Sequence, residues 1–220
     1  MRKLFTLVIF ATVLATVLSS CGAPPPLRSD KYLNDTSVLT QNPCAAPCFH
    51  DITPGKTTFS EAVSKLKEDK AFTNVQTKDK PSVATWDATG GDQCCQLSAN
   101  DNGLVTAVVA RVAPKMTLGD VIAKYGDPQY VSGVDYSDQE SVLQIVFPEK
   151  GLVTLVVPGD AKSTLSATSP VVVLLLIDPN DWKTTLDMST LQGWAGYQSY
   201  QTYKSATPIV TPRVTATPQP

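Results

Sequence analysis

The stretch GLVTAVV, residues 103–109, returns with one residue changed as GLVTLVV, residues 151–157. A glycine followed by apolar and β-branched residues has the composition of a turn that opens into a strand. In front of each stretch lies a second strand-like run. The first is CCQLSA (94–99), followed by a turn at Asn100 to Gly103 and a strand over Leu104 to Val112. Asn102-Gly103 is a strong hairpin pair. The second is Val142 to Phe147, the turn PEKG (148–151) and a strand over Leu152 to Val157.

A helix precedes each hairpin. In PGKTTFSEAVSKLKEDKAF (54–72), Phe59, Ala62, Val63 and Leu66 fall at i, i+3, i+4 and i+7, and Thr58 with Glu61 has the spacing of a capping box. In PKMTLGDVIAKYGDP (114–128), Leu118, Val121, Ile122 and Tyr125 take the same four offsets. Thr117 and Asp120 stand at its start, and Gly126 and Pro128 at its stop. The helices are 59 residues apart and the hairpins 48, so the first copy has the longer link, which holds Trp86, Gly90 and Gly91. A further run, VVVLLLI (171–177), reads as a strand buried on both faces. The expected fold is therefore α+β, with two tandem helix-plus-antiparallel-hairpin units forming a layered helix-on-sheet domain.

The ends of the chain read differently. Arg2 and Lys3 precede a nearly unbroken apolar run, Leu4 to Leu18, and then Ser19, Ser20 and Cys21. This is the pattern of an export signal, and the run is short for a membrane span. LSSC (18–21) resembles the bacterial lipoprotein lipobox. That resemblance implies cleavage after residue 20 and a diacylglycerol on the Cys21 thiol, each buried methylene contributing about 0.8 kcal/mol to anchoring. The expected organisation is a signal peptide over 1–20, a flexible tether over 21–43, a first helix-hairpin unit over 44–112, and a second over 113–204 that adds a strand and an aromatic C-terminal segment. A disordered Thr/Pro tail follows over 205–220.

Charge narrows the partners. The 18 basic and 20 acidic residues give a net charge of −2 with no basic block, which argues against nucleic acid. The expected contacts are the membrane, through the lipid anchor on its extracytoplasmic side, and a protein or envelope-polymer ligand.

Four cysteines remain beyond Cys21: Cys44, Cys48, Cys94 and Cys95. In an exported chain an even number reads as disulfides. Neighbours on a regular strand point to opposite faces, so Cys94 and Cys95 are each expected to bond back to Cys44 or Cys48, closing loops worth about 4 kcal/mol each. CAAPC and CC lack the spacing of a zinc site, and the Asp178 to Asp181 turn needs no calcium. No metal or cofactor is expected. His50, the only histidine, reads as an ordinary polar residue entering the helix, and neither a G-x-S-x-G elbow nor a Walker A loop occurs. Trp194, Tyr197, Tyr200 and Tyr203, in GWAGYQSYQTY (193–203), recur every three residues. They read first as packing and second as a binding platform.

The segment MTLGDVIAKYGDP (116–128) resembles the helix motif of the small BamE/SmpA outer-membrane assembly lipoproteins, where Met-Thr opens a helix that ends in Gly-x-Pro before a sheet. Lys115 stands where that family has Gly, and the first copy keeps Gly55 but lacks Gly-x-Pro. A tandem of such units is similar to the architecture of the β-lactamase inhibitor protein. The resemblance implies a fold. With no nucleophile, base and orienting group in view, the expected role is a lipid-anchored extracytoplasmic binding or envelope-assembly module without catalytic activity. An envelope hydrolase and a purely structural surface lipoprotein are the competing readings.

Overall fold

The helices begin where the capping residues stand. The computed structural model describes residues 26–137, 139–160, 162–181 and 190–209, and within them four α-helices: α1 (Ser37–Thr40), α2 (Phe59–Glu68), α3 (Leu118–Tyr125) and α4 (Tyr200–Ser205). The Thr58 side chain accepts from the Glu61 amide at the start of α2. At α3, Thr117 and Asp120 close a full capping box, each side chain bonding the other's backbone N–H. Ala62 and Leu66 of α2, with Leu118 and Val121 of α3, are buried, so the apolar stripes face the core as their spacing requires.

The strands overturn the expected fold class. Nine are present among the described residues: β1 (Phe72–Asp79), β2 (Ser82–Ala88), β3 (Gln93–Ala99), β4 (Val105–Arg111), β5 (Tyr130–Asp135), β6 (Ser141–Phe147), β7 (Leu152–Gly159), β8 (Val171–Ile177) and β9 (Gln192–Gly193). They form a single sheet in the order β1-β2-β3-β4-β8-β7-β6-β5-β9, with every pair antiparallel. The protein is β-rich, built on one large sheet, and does not consist of two helix-plus-hairpin units. The link holding Trp86 is not a loop: it is β1 and β2, and Trp86 sits fully buried on β2. The strand β5, in the polar stretch YVSGVD, also escaped the hydrophobic pattern.

The echoed GLVT has a local explanation only. Gly103 and Gly151 both take positive φ (75° and 56°), two residues and one residue before a strand, so each copy makes a turn exit. Those strands are β4, last of the first four, and β7, third of the next four. By contrast α2, β1, β2 and β3 begin 59, 58, 59 and 59 residues before α3, β5, β6 and β7. The order of elements recurs with that offset; the four identical letters do not fall at matching places.

Register assigns each side chain to a face. One row of cross-strand partners runs Trp86, Cys95, Ala110, Leu174, Thr154, Ile145, Val131, and its neighbour runs Ala84, Leu97, Val108, Leu176, Leu152, Phe147. All but Thr154 belong to the main hydrophobic cluster, which also takes in residues of all four described helices. Burying each large side chain of this kind is worth roughly 1.5–3 kcal/mol. The helices therefore lie on one face of the sheet. No described helix is long and apolar enough to cross a membrane.

Residues 26–43, expected as tether, run along the folded domain and send side chains into this core. Tyr32, Leu33 and Val38 are buried, and Leu33 pairs with Val112 in a parallel bridge at the end of β4. Proline and polar content masked three apolar anchors. Residues 1–25, with the export signal and Cys21, and residues 210–220 of the tail lie outside the described residues.

Candidate functional site

The opposite face of the sheet carries the other half of each strand. One cross-strand row on it reads Gln76, Thr85, Gln96, Val109, Leu175, Val153, Val146, Tyr130. The row is polar over β1 to β3 and apolar from β4 onward. At the apolar end the chain covers itself: Leu191 packs with Val146, Val153 and Ile177, and Leu27 packs beside Val142, Val157 and Val172. At the polar end no described helix lies over the sheet, and two adjoining depressions of about 460 and about 370 Å³ share Thr85 and Gln96. Together they make a shallow groove across β1 to β4.

The larger depression lies over Cys94 and Cys95, with Gln93, Val109 and Arg111 also on its walls. Those cysteines are bonded to each other, and Cys44 is bonded to Cys48, so the expected cross-links between the two segments are not formed. The reason is a β-bulge. Trp86 pairs with Cys95 and Asp87 with Gln93, leaving Cys94 as an extra residue without a partner on β2. A bulge breaks the alternation of faces on which the expectation rested, and it lets two neighbouring side chains meet. The bonds span separations of 4 and 1 residues, so they fix local shape and constrain the unfolded chain far less than long loops would. Peptide mapping of the unreduced protein is expected to find these two pairs and no peptide joining the 44/48 segment to the 94/95 segment; a cross-segment peptide would refute the bulge geometry.

The C-terminal aromatics separate into two kinds. Tyr200 and Tyr203 are buried. The Tyr200 ring lies on Gly133, where a Cβ would come within 2.5 Å of it, and its hydroxyl donates to the Gly133 carbonyl at 2.9 Å. The Tyr203 hydroxyl donates to the Gly196 carbonyl and accepts from the Ala195 amide, and its ring stacks on Trp194 with centroids 6.3 Å apart. Only Tyr197 is exposed, edge-on to Trp194 at 5.8 Å. The four rings do not form one platform.

His50 is more than a polar entry residue. Its Nδ1 lies 2.7 Å from Asp69 Oδ2 and its Nε2 lies 2.7 Å from Asp35 Oδ2, so both ring nitrogens meet carboxylates. Two carboxylate acceptors call for two N–H donors, which is the imidazolium. Burial works against that charge, but the hydrogen bonds and charges of Asp35, then Asp69, outweigh it and raise the His50 pKa above its ordinary value. Burial likewise pushes Asp35 up, yet bonds from His50 and from the Ser37 side chain and amide overcome it and hold the carboxyl below its usual range. The ring packs against Phe49 and Phe72, with centroids 4.6 and 4.7 Å away. With both nitrogens engaged, the imidazole has none left for a substrate. It joins three separate segments: residue 35, residue 50 and the C-cap of α2. Sequence spacing gave no hint of this, because its members are 15 and 19 residues apart.

Apart from Cys94 and Cys95, the groove residues were not singled out by sequence reading. Their signal was present as alternation: in CQLS (95–98) and AVVAR (107–111) every second residue faces the core, and the residues between are Gln96, Ser98, Ala107, Val109 and Arg111. Set against protein-family models, curated protein sequences and solved structures, the chain finds no match.

Proposed function

We propose that this chain is a lipid-anchored, extracytoplasmic binding or envelope-assembly module without catalytic activity, and that it meets its partner through the open face of the sheet. One observation carries the reading: the helices pack on one face, while the polar end of the other, across β1 to β4, has no described helix over it. A sheet face with a regular grid of side chains presents a broad rigid surface, which suits recognition of another macromolecule. Lipidation at Cys21, on the lipobox resemblance of LSSC, would hold that surface at a membrane. The groove walls include no histidine or carboxylate to act as a base.

The test uses the full chain in its own membrane. A photo-crosslinking residue at position 96, on the open face, is expected to give partner adducts, and the same residue at exposed position 64 of α2 is not. Equal yields from both positions would remove the open face from consideration. In parallel, the intact mass of the membrane-extracted protein should correspond to a chain starting at Cys21 with acyl groups attached, and Cys21→Ala should abolish membrane retention. A soluble mature protein with another N-terminus would sink the anchor.

A further inference from the structure

Arg111 closes β4 at the wall of the groove, half-buried. Its guanidinium carbon lies 5.7 Å from the centroid of the Tyr32 ring, and its Nη1 is 3.5 Å from the Tyr32 hydroxyl, which donates to the Pro26 carbonyl at 2.8 Å. The cation is thus positioned by an aromatic ring. No described carboxylate pairs with it, whereas Lys65, likewise half-buried, pairs with Glu61, and the other unpaired described cations are exposed lysines. Partial burial without a counter-ion disfavours a charged group, and an incoming carboxylate would relieve that cost with a bidentate hydrogen bond.

We infer that the groove receives a short acidic segment of a partner protein in extended form, with one of its carboxylates on Arg111. The second cation of the groove, Lys78, lines its other end, and no acidic residue lines either depression. Between the two cations stand Gln76, Thr85, Gln93 and Gln96, whose amides and hydroxyl both donate and accept, as peptide groups require. No aromatic ring lines the groove, so it lacks the stacking surface that a nucleobase uses. Four adjacent strands span roughly 14 Å, the length of about four extended residues. The inference rests on the proposed binding role of the open face and names the chemistry of its partner.

The experiment titrates the full-length, detergent-extracted protein with a fluorescent, end-blocked hexaglutamate peptide, with hexalysine and inorganic polyphosphate as comparisons, and reads anisotropy. Hexaglutamate is expected to saturate, hexalysine to show no binding, and added salt to weaken the complex. Arg111→Gln should weaken it by about tenfold or more. Because Arg111 also contacts Tyr32, a second variant is needed that leaves the fold alone. Gln96 is exposed, and Gln96→Glu places a like charge in the groove, so it should weaken hexaglutamate with an unchanged melting temperature. Absence of saturation, or equal affinity in the parent and both variants, overturns the inference. Polyphosphate bound as tightly and lost equally on Arg111→Gln also overturns it, leaving an anion site without preference for peptide. Crosslinks from position 96 that persist in Arg111→Gln would defeat the acidic-segment inference while sparing the open face as a binding surface.

Discussion

Replacing His50 with alanine is expected to lower stability by about 3 kcal/mol, and the melting temperature by roughly 10 °C, because it leaves two carboxylates facing each other without the cation between them. Asp35 is almost closed to solvent, with 7% of its side chain exposed, while Asp69 is 31% exposed, so the loss falls at the low end for a broken buried ion pair. The pH dependence has a definite sign. His50 has a raised pKa in the folded protein, so its contribution is complete below the unfolded value of about 6.5 and is lost as pH rises through the folded value. Asp35 has a lowered pKa, so its contribution is complete above the unfolded value of about 3.9 and is lost as pH falls through the folded one. These two groups therefore place maximal stability between roughly pH 4 and 6.5, with a decline on the alkaline side that His50→Asn removes. Because the chain has one histidine, its ring protons give a single NMR titration. A midpoint at or below the ordinary value, or a melting temperature that does not fall above pH 6.5, would refute the two-carboxylate arrangement.

The second large effect concerns the C-terminal aromatics. Tyr200→Ala should cost about 3 to 5 kcal/mol, the range for truncating a buried aromatic, since it empties the space over Gly133 and removes the hydroxyl bond to its carbonyl. Tyr197→Ala, at an exposed position, should change stability by less than about 0.5 kcal/mol. Thermal melts of the two single variants separate the roles that a double substitution would merge. If Tyr197→Ala unfolded the protein as readily as Tyr200→Ala, the division of these rings into buried and exposed would be wrong. The α4 segment is then best regarded as a strap that holds β5, next to the short edge strand β9, with Trp194 and Tyr197 as its outer surface.

Trp86, Leu97 and Val108 point to the helices, and Thr85, Gln96 and Val109, one position away on the same strands, point to the groove. A single period-2 pattern thus writes both a hydrophobic core and a polar surface. Arg111 belongs to the second set, half-buried and with no described carboxylate paired to it.

Helix caps, the buried faces of the two longer helices and the tight turn into β4 were legible in the sequence, whereas even the short-range bond between Cys44 and Cys48 was not. Thr58 with Glu61 and Thr117 with Asp120 cap their helices, the apolar residues of α2 and α3 face inward, and Asn102-Gly103 turns the chain into β4. These are local hydrogen bonds and a local periodicity, and no distant contact is needed to form them. What only the tertiary structure decided depends on pairing across long separations. The largely exposed β1, FTNVQTKD, has little apolar pattern of its own and is a strand because β2 satisfies its backbone. The bond between Cys94 and Cys95 exists because β3 slips by one residue against β2, a misfit that neither strand encodes alone. Asp35, His50 and Asp69 meet because residues 26–43 fold back onto the core through Tyr32, Leu33 and Val38. The groove came last of all, since a strand's alternation says that it has two faces, and only the packing of all the described helices on one of them leaves the other open over β1 to β4.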